Sequence, residues 1–140
     1  MRALLTTIAT GLALTPATAH AAATLTAFQT PSHKIGCLYS RGGGEPARLR
    51  CDVRDNAAAT PKRPASCELD YGSAFGLTAT GKATRLCVGD TALDPKAKVL
   101  AYDRTRRLGP FTCTSRTTGL RCTTKAGHGF VLSRQAQRLF

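Results

Sequence analysis

Two of the three histidines in this sequence are the side chains best suited to acid–base chemistry, because His20 lies in an N-terminal segment that we expect to be removed. An imidazole titrates near neutral pH, and two of them beside a lysine can cleave RNA by general acid–base catalysis. His33 and His128 are far apart in sequence, with Lys34 next to the first. That chemistry requires both rings beside one cleft, and the spacing gives no sign of it. We therefore expect a protein that is not an enzyme. The alternative is a small ribonuclease-like hydrolase that uses His33 and His128.

Arginine is the second informative residue type. Residues 22–140 contain thirteen Arg and six Lys against eight Asp and Glu. Guanidinium groups make planar, bidentate contacts to carboxylates and phosphates. The arginines predicted to contact a polyanion are Arg48, Arg50 and Arg54 on one strand face, Arg104, Arg106 and Arg107 in one loop, and Arg134 and Arg138 on a terminal helix. The charge favours weak electrostatic adherence to an anionic wall polymer or lipid surface.

The third chemical feature is an even number of cysteines. The six are Cys37, Cys51, Cys67, Cys87, Cys113 and Cys122. No pair has the close spacing of a structural zinc site, so neither a metal nor another cofactor is expected. Behind an export signal, an even count of this kind indicates three disulfides.

Six cysteines allow 15 pairings, and sequence alone does not choose among them. Turns nevertheless favour sequential pairing. A turn around Gly44 would set Cys37 opposite Cys51, and a turn over residues 116–119 would set Cys113 opposite Cys122. Cys67–Cys87 then follows by elimination.

The N-terminal residues have the pattern of a signal peptide. Arg2 precedes a short apolar stretch over residues 3–14, and Ala19-His20-Ala21 fits the small-residue cleavage pattern. Ala17-Thr18-Ala19 and Ala21-Ala22-Ala23 fit it as well, so the site of cleavage stays open by about two residues. The stretch is too short to span a membrane. We expect residues 1–21 to be removed and residues 22–140 to form one secreted, monomeric domain without a transmembrane segment, in the extracellular or cell-envelope space. Export removes cytosolic nucleic acid from the list of partners.

Glycines and prolines recur every ten to fifteen residues and separate short β-prone segments. The strictly alternating residues 48–54 give the clearest strand, and the other predicted strands are 35–40, 75–80, 83–88, 98–102, 110–115 and 120–124. After Ser133 we expect a short helix with Leu132, Ala136 and Leu139 on one face. The fold class is mostly β: a small antiparallel sheet or barrel of six to eight strands in short hairpins, with a short C-terminal helix and three disulfides.

The predicted core collects the apolar positions of these segments. It consists of Ile35, Leu38, Leu49, Val53, Leu69, Phe75, Leu77, Leu86, Val88, Leu100, Tyr102, Phe111, Leu120, Phe130 and Leu132.

A set of short motifs accompanies the cysteines. They are Phe28-Gln29-Thr30-Pro31-Ser32-His33-Lys34-Ile35-Gly36-Cys37, Leu49-Arg50-Cys51, Cys67-Glu68-Leu69-Asp70-Tyr71-Gly72, Cys87-Val88-Gly89-Asp90-Thr91, Leu100-Ala101-Tyr102, Gly119-Leu120-Arg121-Cys122 and Gly127-His128-Gly129-Phe130. In these motifs the chain resembles a family of small secreted actinobacterial proteins with six cysteines and a domain of unknown function. The resemblance implies secretion, and it implies no particular activity or ligand.

Three functions are compatible with these features. The leading one is a non-enzymatic binding module that associates with anionic envelope or extracellular polymers. The hydrolase using His33 and His128 is the second. The third is a structural or inhibitor-like protein-binding domain that presents an exposed loop such as residues 104–107.

Overall fold

A computed structural model describes residue 19 and residues 21–140. The predicted signal peptide over residues 1–21 lies outside the described residues apart from positions 19 and 21. The described chain forms eleven strands: β1 Thr24–Gln29, β2 Ile35–Gly42, β3 Glu45–Val53, β4 Asp70–Thr78, β5 Thr84–Val88, β6 Lys98–Val99, β7 Thr105–Leu108, β8 Phe111–Arg116, β9 Gly119–Thr124, β10 Gly129–Leu132 and β11 Gln137–Leu139.

The strands form two sheets rather than one. The first sheet has the order β5-β4-β3-β2-β1-β6, in which only the short β6 is parallel to its neighbour. The second sheet is an antiparallel meander with the order β11-β10-β9-β8-β7. The mostly β prediction is confirmed, and neither sheet closes into a barrel. Among residues 21–140 no helix has the length and hydropathy needed to cross a membrane.

The core lies between the inner faces of the two sheets. Alternation along each strand sends one side chain inward and the next outward. Phe28, Phe75, Phe111 and Phe130 are fully buried there. The ring centres of Phe75 in the first sheet and Phe130 in the second lie 6.4 Å apart. Burial of apolar surface between the sheets therefore joins them into one unit.

The predicted sequential disulfides are present. Cys37 lies directly opposite Cys51 on β2 and β3, and Cys113 lies directly opposite Cys122 on β8 and β9. The third disulfide joins Cys67 to Cys87, at the end of β5. Each of the first two disulfides lies on the inner face of one sheet, where its sulfur atoms are part of the core.

The predicted C-terminal helix is wrong. Residues 137–139 form β11 on the edge of the second sheet, with Phe130 opposite Leu139. Ser133 accepts a hydrogen bond from the Ala136 amide (3.0 Å) and thereby closes a turn instead of capping a helix. The segment is too short to gain much from helical hydrogen bonds, whereas the turn returns it to an existing sheet edge.

The predicted loop over residues 104–107 is also mostly strand, because a two-residue turn at Gly109-Pro110 folds residues 105–108 back onto β8. The core prediction is partly right. Leu69 and Tyr102 are exposed, and Leu38, Leu86 and Val88 are half-buried on the outer side of the first sheet.

Candidate anion-binding surface

The outer face of the second sheet carries a row of polar and basic side chains. Five residues lie directly opposite one another across the five strands, and they are Thr105, Thr114, Arg121, Val131 and Arg138. At about 4.8 Å between strands the row is about 19 Å long. The inward neighbours of these residues, such as Leu120 and Cys122, are fully buried. The pattern fixes which side of the sheet faces solvent.

The second row on this face adds Arg107, Thr112 and Thr123. Arg116 lies at the end of β8, two residues beyond Thr114 and on the same face. We call the residues Thr105, Arg107, Thr112, Thr114, Arg116, Arg121, Thr123, Val131 and Arg138 the arginine face.

An aromatic ring supports two of the cations of the arginine face. The Cζ atoms of Arg121 and Arg138 lie 4.8 Å and 5.0 Å from the centre of the Phe140 ring. A guanidinium that lies over a ring keeps its outer edge free to bind an anion. The ring therefore holds the two exposed charges in place without neutralising them.

The charge of the chain is divided unevenly between the two sheets. Residues 21–103, which contain the first sheet, have eleven Lys and Arg against eight Asp and Glu. Residues 104–140, which contain the second sheet, have eight Lys and Arg and no Asp or Glu. The strands of the arginine face thus carry no acidic side chain, and within the described residues Arg116 is the one arginine of this face with an acidic partner, Asp103 from the loop before β7.

A basic cleft adjoins the arginine face where the β1–β2, β8–β9 and β10–β11 turns meet. Its volume is about 410 Å³. The lining residues that bear on its chemistry are Lys34, Tyr102, Arg116, Thr118, Ser133 and Arg134. Arg116 and Thr118 also line a smaller hollow with Arg121 on the arginine face. The cleft and the face therefore form one continuous basic surface.

Two aspartates at the rim hold the cations of the basic cleft. Lys34 Nζ donates to Asp55 Oδ2 at 2.7 Å, and Arg116 Nη1 donates to Asp103 Oδ1 at 3.0 Å. Arg134 Nε donates to the backbone carbonyl of Asp55 at 3.1 Å. The hydrogen bond from Lys34, together with its charge, lowers the pKa of the Asp55 carboxyl. The aspartates are exposed, so they orient the cations more than they bury them.

The non-glycine residues with left-handed backbone conformation lie around this cleft. In the described part of the chain the non-glycine residues with positive φ are His33, Asp55 and Asp103, at 55°, 50° and 61°. His33 lies between two lining residues, and the two aspartates hold lining cations. Such conformations cost about 1–3 kcal/mol each and are found preferentially where loops are shaped for function.

Three of the predicted anion-binding arginines lie on the first sheet, away from the arginine face. Arg48 is exposed and lies 3.7 Å from Glu45, and Arg54 is exposed beyond the end of β3. Arg50 makes two hydrogen bonds of 2.9 Å to Asp52 and two of 2.7 Å to the side chain and carbonyl of Asp90. Because its donors are used internally, Arg50 ties a loop to the sheet.

The Arg50 network is centred on a buried carboxylate. Asp52 also accepts hydrogen bonds from the Thr91 hydroxyl (3.1 Å) and the Ala92 amide (2.8 Å). The Asp52 carboxylate raises the pKa of Arg50, and Arg50 in turn lowers the pKa of Asp90. The loop after β5 is thereby fixed against β3.

The other five predicted arginines are divided among different places. Arg107 and Arg138 lie on the arginine face, and Arg134 lines the basic cleft. Arg106 points to the opposite side of β7, where its Cζ atom lies 5.8 Å from the ring centre of Phe28. Arg104 is exposed and precedes β7. The grouping of residues 104, 106 and 107 as one basic loop is therefore wrong, because strand alternation separates them.

Arg116 and Arg121 were not among the predicted site residues. The signal for them was present in the sequence: no acidic residue follows Asp103, and Arg121 alternates with Leu120 and Cys122 as an outward residue of a strand would. What the sequence did not give was the pairing of β9 with β10 and β11, which sets Arg121 and Arg138 on one face.

The two histidines lie in different turns. His33 Nδ1 donates to Gln29 Oε1 at 2.9 Å, since the Gln29 amide nitrogen donates to the carbonyls of Pro95 and Ala97. His128 lies in the β9–β10 turn, whereas the β1–β2 turn meets the opposite end of β9, about 17 Å away. Neither imidazole lines the basic cleft, so this geometry lends no support to shared acid–base catalysis.

Comparison with known proteins adds a family but no activity. A family model described as "Family of unknown function (DUF6636)" matches residues 5–140. No match was found among curated proteins or among solved structures.

Proposed function

Since the chain belongs to this family of unknown function, its function has to be inferred from its own surface, and we propose that it is a non-enzymatic module that binds anionic polymers. The observation that carries the proposal is the arginine face, which presents four guanidinium groups and has no Asp or Glu in its part of the chain. A repeating carboxylate or phosphate along a polymer would contact several of these groups at once.

The chemistry of the face favours a polymer over a lipid surface. Binding to a bilayer gains strength from apolar side chains that enter the interface as well as from charge. Among the described residues the large hydrophobic side chains with high exposure are Leu25, Leu69, Val99 and Tyr102, and all four precede Arg104. The arginine face therefore supplies charge and hydroxyls, and the apolar side chains there, Val131 and Phe140, are partly buried instead of projecting toward an interface.

The disulfides indicate the environment in which the module works. Three cystines persist in an oxidising compartment and are rare in the cytosol. We propose that the protein acts as a monomer, after removal of residues 1–21, in the extracellular or envelope space. Polymers with carboxylate or phosphate groups in that space are its proposed partners.

A salt series on immobilised polyglucuronate and polyphosphate tests the proposal. We expect binding at low salt that weakens steadily as NaCl rises, because exposed charges are screened and counterions are released on binding. In the double variant Arg121→Ala/Arg138→Ala we expect affinity to fall about tenfold and the slope of log affinity against log salt to decrease by about 1–2.

The matched control is the double variant Arg41→Ala/Lys62→Ala, which removes two exposed cations from residues 21–103. We expect it to keep most of the affinity. Equal loss in both double variants would mean that net charge, and not the arginine face, governs binding. Stronger binding to anionic vesicles than to either polymer would overturn the choice of a polymer.

A further inference from the structure

The basic cleft contains groups that a site for simple anions would not need. Beside Lys34, Arg116 and Arg134 its lining includes the hydroxyl-bearing residues Thr30, Ser32, Thr117, Thr118 and Ser133. The hydroxyls of Thr30, Ser32 and Ser133 make hydrogen bonds within the protein, whereas Thr117 and Thr118 are exposed in the β8–β9 turn. Hydroxyls can both donate and accept hydrogen bonds, so a lining of this kind suits a ligand that is itself rich in hydroxyls.

An aromatic side chain completes the lining. Tyr102 has 38% of its surface exposed and borders the same cleft. An exposed ring offers a flat apolar surface on which the C–H face of a sugar ring can lie, while the phenol hydroxyl bonds to solvent or ligand. A charged sugar unit presents an anionic group, hydroxyls and a flat C–H face. The cleft of about 410 Å³ offers cations, hydroxyls and one flat ring to match them.

The cleft is positioned to receive a unit of a longer chain. Arg116 and Thr118 line both the cleft and the hollow that contains Arg121. A polymer whose terminal or pendant unit occupies the cleft can therefore continue over the arginine face without leaving the basic surface. The ion pairs of Lys34 with Asp55 and of Arg116 with Asp103 fix the cleft cations in advance, which reduces the entropy lost on binding.

We infer that the basic cleft binds a single sugar unit bearing a carboxylate or a phosphate, with the sugar ring on Tyr102 and the anionic group held by Arg116 and Arg134. This inference rests on the proposed function, which supplies the class of polymer. It adds which unit of that polymer the protein recognises. The arginine face supplies charge along the chain, and the cleft supplies selectivity for the sugar.

Titration of the protein with small probes tests the inference. The probes are glucuronic acid, glucose 6-phosphate, glucose, inorganic phosphate and adenosine monophosphate, followed by NMR amide shifts and tyrosine fluorescence. We expect the two charged sugars to shift the turns that form the cleft, with affinity at least about tenfold above glucose and inorganic phosphate, since each of those lacks one of the matched groups.

Substitutions at Tyr102 separate stacking from general effects. Tyr102→Ala is expected to weaken binding of the charged sugars about fivefold to tenfold, whereas Tyr102→Phe, which keeps the ring, should stay within about twofold of the parent. Leu69→Ala, at another exposed hydrophobic position, is the matched control. Equal affinity for inorganic phosphate, tighter binding of adenosine monophosphate, or no effect of Tyr102→Ala would each overturn the inference.

The double variant Arg121→Ala/Arg138→Ala distinguishes this inference from the proposed function. It should bind the charged sugars as the parent does and lose affinity for the polymers. Polymer binding through the arginine face without any sugar binding in the cleft would refute the inference and leave the proposed function intact. Loss of neither property in that variant would refute the proposed function alone.

Discussion

The two sheets are alike on their inner faces and different on their outer faces. Each inner face has a disulfide between directly opposed strand residues, Cys37–Cys51 in the first sheet and Cys113–Cys122 in the second. On the outer face of the first sheet, Arg50 is hydrogen-bonded to Asp52 and Asp90.

On the outer face of the second sheet, Arg121 and Arg138 lie over Phe140 with no acidic partner in their segment. The same residue type therefore stabilises the fold in one sheet and provides surface charge in the other. The number of donors used inside the protein decides between these roles. All three guanidinium nitrogens of Arg50 donate to Asp52 or Asp90, so this side chain has few donors left for a ligand.

The largest expected loss of stability comes from variants that test whether the two inner faces are stabilised in the same way. The variants Cys37→Ala/Cys51→Ala and Cys113→Ala/Cys122→Ala should each lose about 3 kcal/mol of unfolding free energy, since each removes a closed loop from the unfolded chain. The loops span 14 and 9 residues, so the losses should agree within about 1 kcal/mol. Urea denaturation measures both. A large loss in one sheet with none in the other would contradict the likeness.

The next effect tests the difference between the outer faces. Arg50→Ala should cost about 3 kcal/mol, because it leaves the buried Asp52 carboxylate without its main partner. Arg121→Ala removes only an exposed cation over a ring and should cost less than about 1 kcal/mol. Denaturant midpoints and polymer affinity are measured together: Arg50→Ala lowers stability, and Arg121→Ala lowers affinity. Similar stability losses in the two variants would show that both arginines are structural.

The smallest effect concerns acid stability. Asp55 and Asp90 have pKa values lowered by Lys34 and Arg50 from the ordinary value of 3.8. The stabilisation they contribute is complete above that value and is lost as pH falls through the lower pKa of the folded state. In the double variant Asp55→Asn/Asp90→Asn, thermal unfolding should therefore depend less on pH below about 4. Glu68→Gln, an exposed carboxylate in a loop, is the matched control. A steeper acid dependence in the double variant would contradict the assignment.

Features that depend on short stretches of chain are predictable from the sequence. The alternation of residues 48–54 predicted β3, and the symmetry of Cys37 and Cys51 about Gly44 predicted their pairing. It failed at the C-terminus, where apolar residues at 132, 136 and 139 fit a helical face. Those positions fit a hairpin equally well, and the choice depended on an open edge of β10 that the local pattern does not contain.

The candidate site depends even more on contacts between distant parts of the chain. Of the eight predicted arginines, Arg107, Arg134 and Arg138 belong to the continuous basic surface, and Arg50 is a structural residue. Arg116 and Tyr102 both line the basic cleft, and neither is among the predicted site residues. The cleft is formed by turns that are distant in the chain, so no local pattern marks it.

Residue types and their order determined the strand character and the absence of acidic residues after Asp103, and they favoured the cysteine pairs that the structure has. These properties depend on alternation, turn residues and composition, which act over short stretches of chain. Only the tertiary structure decided which arginines share a face and which are tied to aspartates. Strand pairing and sheet packing bring together residues that are far apart in the chain, such as Gln137 and Asn56, which are 81 positions apart and share a hydrogen bond.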